Sequence, residues 1–277
     1  MYTGRRSPLM TQRLIFCINS GRSGSEYLAH LLDTAAHTDG VHENRPSMHG
    51  YYLEPTLRAP MTDSFEFRRD KERAIRQHMQ QRPDGYVYAE TNHMFIKTFY
   101  DVAMECLAPS FEVRVVLLRR KLPSVLRSFV SLGLFTPTCE DTPKWMPGTE
   151  TYNAVFKPPH SDTPPDQIDR ILGYLIDTEA RAQQFMASYP SCPVIETNLE
   201  DVITEAGALS LFAALDLEPT DATRAMVGAK VNARDARKAE VGVSISLEEC
   251  QTRIASYLER CRQQGVVVPA LPHAGVG

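Results

Sequence analysis

No apolar run in this sequence approaches the ~18 residues that a membrane-spanning helix needs, so no membrane partner is predicted. The opening dozen residues hold Arg5 and Arg6 but no apolar block of the secretory kind, and the cytoplasm is the expected compartment. Cysteine is sparse: Cys17, Cys106, Cys139, Cys192, Cys250 and Cys261 are scattered, with no metal-ligand or redox spacing among them. Neither a disulfide scaffold nor a metal site is expected. A surplus of positive charge is missing too, because 30 Lys and Arg face 34 Asp and Glu for a net charge of −4. Nucleic acid is therefore not expected as a partner. What remains is ordinary globular material, 43% hydrophobic and 23% charged, enough over 277 residues for one large domain spanning 1–277.

The chain is organised around its first strand and helix. Residues 14–18 form an apolar run, a small-residue turn follows, and then Leu28, Leu31 and Leu32 recur at helical spacing. Further strands are predicted at 41–42, 86–90, 113–118 and 193–197, and helices at 68–81, 95–107, 124–131, 165–189, 207–215 and 247–264. Strands alternating with helices predict an α/β fold, a mostly parallel central sheet flanked by helices. Two stretches stand apart. Residues 44–66, with Pro46, Pro55 and Pro60, read as irregular and close to a binding site. Residues 133–166 are proline-rich and contain the only tryptophan, Trp145; they read as a flap on the substrate side or as a disordered insertion, with a helical C-terminal part from about 167.

The turn after the first strand, Ser20-Gly21-Arg22-Ser23-Gly24-Ser25, has the composition of a phosphate cradle. Gly21 and Gly24 let the backbone approach closely, and amides at a helix start point at an anion. Ser23 and Ser25 can add hydroxyl donors, and Arg22 a rigid fork of N–H groups. An ordinary strand-to-helix turn is also rich in small residues. A triphosphate loop, however, needs Gly-Lys-Ser/Thr, whose lysine is absent here. Glu26, in the first turn of the helix, cannot donate to a phosphate and has no assigned role.

A second basic site follows the strand at 113–118. Arg119, Arg120 and Lys121 stand at its carboxyl end, where open α/β sheets bind ligands. Ser128 lies about two helical turns further on and can return a hydroxyl to the same anion. A nucleotide hydrolase would carry an aspartate there for magnesium. Three cations instead neutralise a phosphate directly.

Gly21-Arg22-Ser23-Gly24-Ser25 before a Leu-rich helix, and Arg120 eight residues before Ser128, resemble the 5′- and 3′-phosphate motifs of the sulfotransferases that use 3′-phosphoadenosine 5′-phosphosulfate (PAPS). The match departs at Glu26 and at Lys121-Leu122, where the family shows Thr and Asp-Pro, so Arg119 could share the role of Arg120. It covers roughly residues 13–131. The resemblance implies a three-layer architecture like that of P-loop nucleotide hydrolases, PAPS as donor, 3′-phosphoadenosine 5′-phosphate as product, and no metal. It further implies that Arg22 stabilises charge on the bridging oxygen, and that Lys230, Asn232 and Arg234 form a late basic loop over the nucleotide.

Transfer of a sulfuryl group needs a base for the acceptor. Glu43 ranks first, since His42-Glu43-Asn44-Arg45-Pro46 resembles the His-Glu-Pro of bacterial members; His93 is second and His42 third. Glu90, Thr91 and Asn92 are expected in the acceptor pocket, by resemblance, with Trp145 from the flap. The acceptor is expected to be a small molecule bearing a hydroxyl or amine. A P-loop small-molecule kinase and a non-catalytic nucleotide-binding relative are the alternatives.

Overall fold

The computed structural model describes residues 11–227 and 243–274. Five parallel strands form one sheet: β1 (Arg13–Ile18), β2 (Thr38–His42), β3 (Val87–Thr91), β4 (Glu112–Arg119) and β5 (Val194–Asn198), in the order β2-β3-β1-β4-β5. β1 is central, pairing with β3 through Arg13–Val87 to Phe16–Glu90 and with β4 through Arg13–Glu112 to Ile18–Leu117. Side chains alternate across it. Leu14, Phe16 and Ile18 enter one core with Phe95, Phe99 and Phe185, whereas Ile15 and Cys17 enter the other with Leu28, Leu31 and Phe212. Burying each such side chain stabilises the fold by about 1.5–3 kcal/mol, which is why the apolar run of β1 fixes the middle of the sheet.

Helices cover both faces. Among the described residues the six longest helices are α1 (Ser25–Leu32), α2 (Asp70–Met79), α3 (Leu122–Ser131), α4 (Gln167–Ser188), α5 (Glu205–Leu215) and α6 (Leu247–Gln263). Their starts follow local chemistry: Asp166 accepts from the Asp169 amide ahead of α4, Ser246 from the Glu249 amide ahead of α6, and Pro123 occupies the first turn of α3. Leu126, Phe129, Ile171, Leu175, Ile254 and Tyr257 knit α3, α4 and α6 into a third core. No described helix is long and apolar enough to cross a membrane.

All five residues of β3 are buried, because β1 and β2 flank it and both faces are covered. The structure departs from the sequence reading in three places. The stretch 44–66 is not irregular throughout but holds short helical turns, Gly50–Tyr52, Glu54–Arg58 and Met61–Ser64. The segment at 95–107 is wound as two π-helical pieces, Phe95–Phe99 and Ala103–Leu107, around a short α-helical turn. Finally, residues 133–166 contain one helical turn, Thr142–Trp145, and are tied down: Asn153 donates to the carbonyls of Thr56 and Ala59, and Asp177 of α4 accepts from the amides of Val155 and Phe156.

Candidate active site

The turn between β1 and α1 is built on left-handed backbone, with φ of 78° at Gly21, 56° at Arg22 and 92° at Gly24. Asn19 holds it from beneath, its side-chain oxygen accepting from the Gly21 amide at 2.9 Å and lying 3.4 Å from the Ser23 hydroxyl. A Cβ on Gly24 would stand 2.5 Å from Leu199 Cδ1, and the left-handed φ there favours glycine. Among the described residues, the amides of Arg22, Ser23, Gly24 and Ser25 donate to no protein acceptor. Four unpaired amides at the start of a helix make a concave anion nest.

Two cations reach the nest from different parts of the chain. Arg22 Nε donates to Ser128 Oγ at 3.2 Å, and Arg120 donates to the Arg22 carbonyl at 3.1 Å. Burial, followed by the proximity of Arg120, depresses the pKa of Arg22, as expected of cations crowded together without a paired carboxylate. Arg120, Ser128 and the turn thus form one group. Arg119 does not join it. Its guanidinium is held by Glu179 at 3.0 Å and by Glu196, so its charge is neutralised within the protein.

At the end of β2, Glu43 adopts φ 48° and turns its carboxylate between two imidazoles, 3.5 Å from His93 Nε2 and 3.7 Å from His42 Nε2. His93 lies beneath the turn, 3.7 Å from where a Cβ of Gly21 would be. The three base candidates are therefore neighbours, beside the anion nest. Burial raises the Glu43 carboxyl above its ordinary 4.5, against the opposing pull of His42 and Lys97. His93 is driven well below 6.5 by burial, then by Lys97. Glu26 lies close enough to bias both Arg22 and Glu43.

The neighbouring β3 residues serve the scaffold rather than the pocket. Glu90 is 1% exposed, paired with Lys71 at 2.6 Å and bonded by Tyr88 and Asn92. Asn92 also donates to the Ser47 carbonyl and accepts from the Met94 amide. Thr91 donates to the Ser25 carbonyl at 2.8 Å, and its own carbonyl accepts from the Glu43 amide. The expectation that Glu90, Thr91 and Asn92 line the acceptor pocket is corrected: all three are interior, with their polar atoms committed. Trp145 does reach the site, stacked on His49 at 3.9 Å and on His93 at 5.3 Å. Lys230, Asn232 and Arg234 lie outside the described residues.

Sequence reasoning missed Lys97, Tyr174, Asn19 and His49. Lys97 follows His93 by one helical turn, a spacing that places two side chains on one face and could have exposed the pair. Tyr174 gave no signal beyond the apolar pattern of α4. Among the described residues, no cluster of three His, Cys, Asp or Glu could hold a metal.

No family model matches this chain, and no curated protein matches it. Solved structures similar to it include the sulfotransferase domain from the curacin biosynthetic pathway, at 10% identity and TM-score 0.48, covering 94% of this chain and 100% of that one. The sulfotransferase domain from the Synechococcus PCC 7002 olefin synthase gives 9% identity and TM-score 0.49, covering 97% and 100%. Sulfotransferase STF1 from Mycobacterium tuberculosis H37Rv gives 13% and 0.41, covering 90% and 78%. At such identities the side chains of the site speak only through their own geometry.

Proposed function

We propose that this protein is a sulfotransferase moving a sulfuryl group from PAPS to a hydroxyl or amine of a small-molecule acceptor. One observation carries the reading: Arg22 contacts both Ser128 and Arg120 beside four unpaired amides, which suits a single ligand with phosphates at both ends. The amides of Arg22–Ser25 would hold the 5′-phosphosulfate, while Arg120 and Ser128 would hold the 3′-phosphate. This fits the charge of the group, since neither arginine has a carboxylate partner within ion-pair reach among the described residues.

The residues act in order. Glu43 takes the proton of the acceptor hydroxyl or amine as that atom bonds to sulfur. The bond between sulfur and the bridging oxygen breaks, and its electron pair stays on the phosphate. Arg22 stabilises the developing charge on that oxygen; such a donor is worth about 2.7–4 kcal/mol of barrier. Trp145 and the 133–166 segment form the acceptor-side wall of the site.

A P-loop kinase is disfavoured by the missing Gly-Lys-Ser/Thr and by the cations that end β4. Thermal-shift titration separates the readings. Saturating 3′-phosphoadenosine 5′-phosphate should raise the melting temperature, a ligand at one hundred times its Kd adding about 2.7 kcal/mol. Stabilisation by ATP with magnesium alone would transfer the case to the kinase. Binding without transfer to any acceptor would identify a non-catalytic relative.

A further inference from the structure

A line of polar contacts runs inward from the site and ends at the turn where it began. Glu43 Oε1 faces His93 Nε2, and His93 Nδ1 lies 2.8 Å from Lys97 Nζ. Lys97 Nζ touches the Tyr174 hydroxyl, which donates to the Ser20 carbonyl at 2.6 Å. Both Lys97 and His93 are enclosed, at 2% and 4% exposure. Among the described residues Lys97 has no carboxylate within ion-pair distance, so its hydrogen bonds go to His93 and Tyr174 alone.

With Lys97 as an ammonium, one arrangement of protons satisfies every group. The Tyr174 proton is committed to Ser20, so the phenolic oxygen must accept from Lys97. An ammonium also donates to His93 Nδ1, which makes Nδ1 the unprotonated nitrogen and leaves the proton on Nε2. That N–H then points at the Glu43 carboxylate. The reverse assignment would set a bare Nε2 lone pair against a carboxylate oxygen.

We propose that Lys97 is a positioning residue that occupies the free lone pair of His93, turns its Nε2–H toward Glu43 and so leaves Glu43 as the base. His93 becomes a donor that orients the carboxylate, and the Lys97–Tyr174 link fixes both to the turn that holds the sulfuryl donor. The assignment of catalytic roles rests on the proposed sulfotransferase reading; the tautomer does not.

Other charges bear on the same chain. His42 from β2, Glu26 from α1 and Glu90 from β3 act on Glu43. Burial, then Arg181 from α4, lower the Lys97 ammonium well below its ordinary pKa, while Glu43 and then Asp177 from α4 favour its charge. Loss of the Lys97 cation removes an influence that favours ionised Glu43. The acidic limb of activity should therefore move to higher pH in Lys97→Met.

The test uses the full chain and long-range proton–nitrogen spectra of the histidine rings, with the His93 signal identified by its loss in His93→Gln. Wild type should show the Nε2–H tautomer, and Lys97→Met should gain a population protonated at Nδ1. In PAPS-dependent assays, His93→Gln, whose amide can still donate, should keep more than a tenth of wild-type turnover, while Glu43→Gln falls at least a hundredfold. An Nδ1–H tautomer in wild type would overturn the proposal even if Lys97→Met fails to fold. A Lys97→Met pH profile identical to wild type, or equal losses in His93→Gln and Glu43→Gln, would also overturn it. Should no sulfuryl transfer be found at all, the tautomer measurement still judges Lys97 independently.

Discussion

Arg22 Nε and Ser128 Oγ meet at 3.2 Å although 106 residues separate them in the chain. This contact brings the turn after β1 and the helix after β4 to one point, so the two residues should fail in different ways. Arg22→Ala should slow turnover about a hundredfold or more while the protein folds normally, because in the proposed reaction it removes the donor to the leaving oxygen. Ser128→Ala should instead weaken binding of 3′-phosphoadenosine 5′-phosphate about tenfold, the worth of one hydrogen bond to a charged group. Steady-state kinetics and calorimetry on the two variants check both. Wild-type turnover in Arg22→Ala removes it from the mechanism.

The pH dependence follows from Glu43. Its carboxyl is raised above 4.5, chiefly by burial, and a base works only when ionised. Turnover should accordingly rise with pH through that elevated value, with an acidic limb above the ordinary glutamate range. Glu43→Gln should abolish the limb along with most activity. A limb at or below the ordinary value would contradict the assignment.

Lys71 and Glu90 form an enclosed ion pair at 2.6 Å, and Lys71 also donates to the carbonyls of Asn44 and Pro46. Lys71→Met leaves Glu90 charged and buried, which should cost about 3–5 kcal/mol of stability. Adding Glu90→Gln should return more than half of that loss. Denaturant melts of the single and double variants measure it, and a neutral single variant would show that the pair carries little.

Trp145 is the only tryptophan, so its emission reports on the stack with His49 and His93. Protonated imidazole quenches indole. His49 is shifted below 6.5 by burial and then by Lys144, so quenching should set in below that pH as the solution is acidified. His49→Ala should remove the transition. A midpoint above 6.5 would place the quenching group elsewhere.

What could be read from the sequence was whatever local pattern determines. The apolar runs of β1 and β4 announced buried strands, and Gly21 and Gly24 announced a turn with special backbone. The meeting of Arg22 with Arg120 and Ser128 followed from placing both at strand ends on one edge of a parallel sheet. Burial of charge was not readable: Lys71 and Glu90 look solvent-facing until their partners are known. Pro55 was read as part of an irregular stretch, yet it sits in the first turn of a short helix, where its missing N–H costs nothing. Strand order was hidden as well. β3 stands between β1 and β2, so Glu43 reaches the turn through side chains rather than from an adjacent strand.

That intervening strand makes Thr91 a shared hinge pin for the anion nest and Glu43. Its hydroxyl is fastened to the Ser25 carbonyl and its main-chain oxygen to the Glu43 amide, so in the proposed reaction donor platform and base are registered against the same residue. Acceptor preference can then drift through the 44–66 and 133–166 segments without disturbing the distance between the two halves of the reaction. Libraries that diversify those segments and hold Thr91 constant should yield new selectivity at undiminished chemistry, whereas variation at Thr91 should misalign every substrate alike.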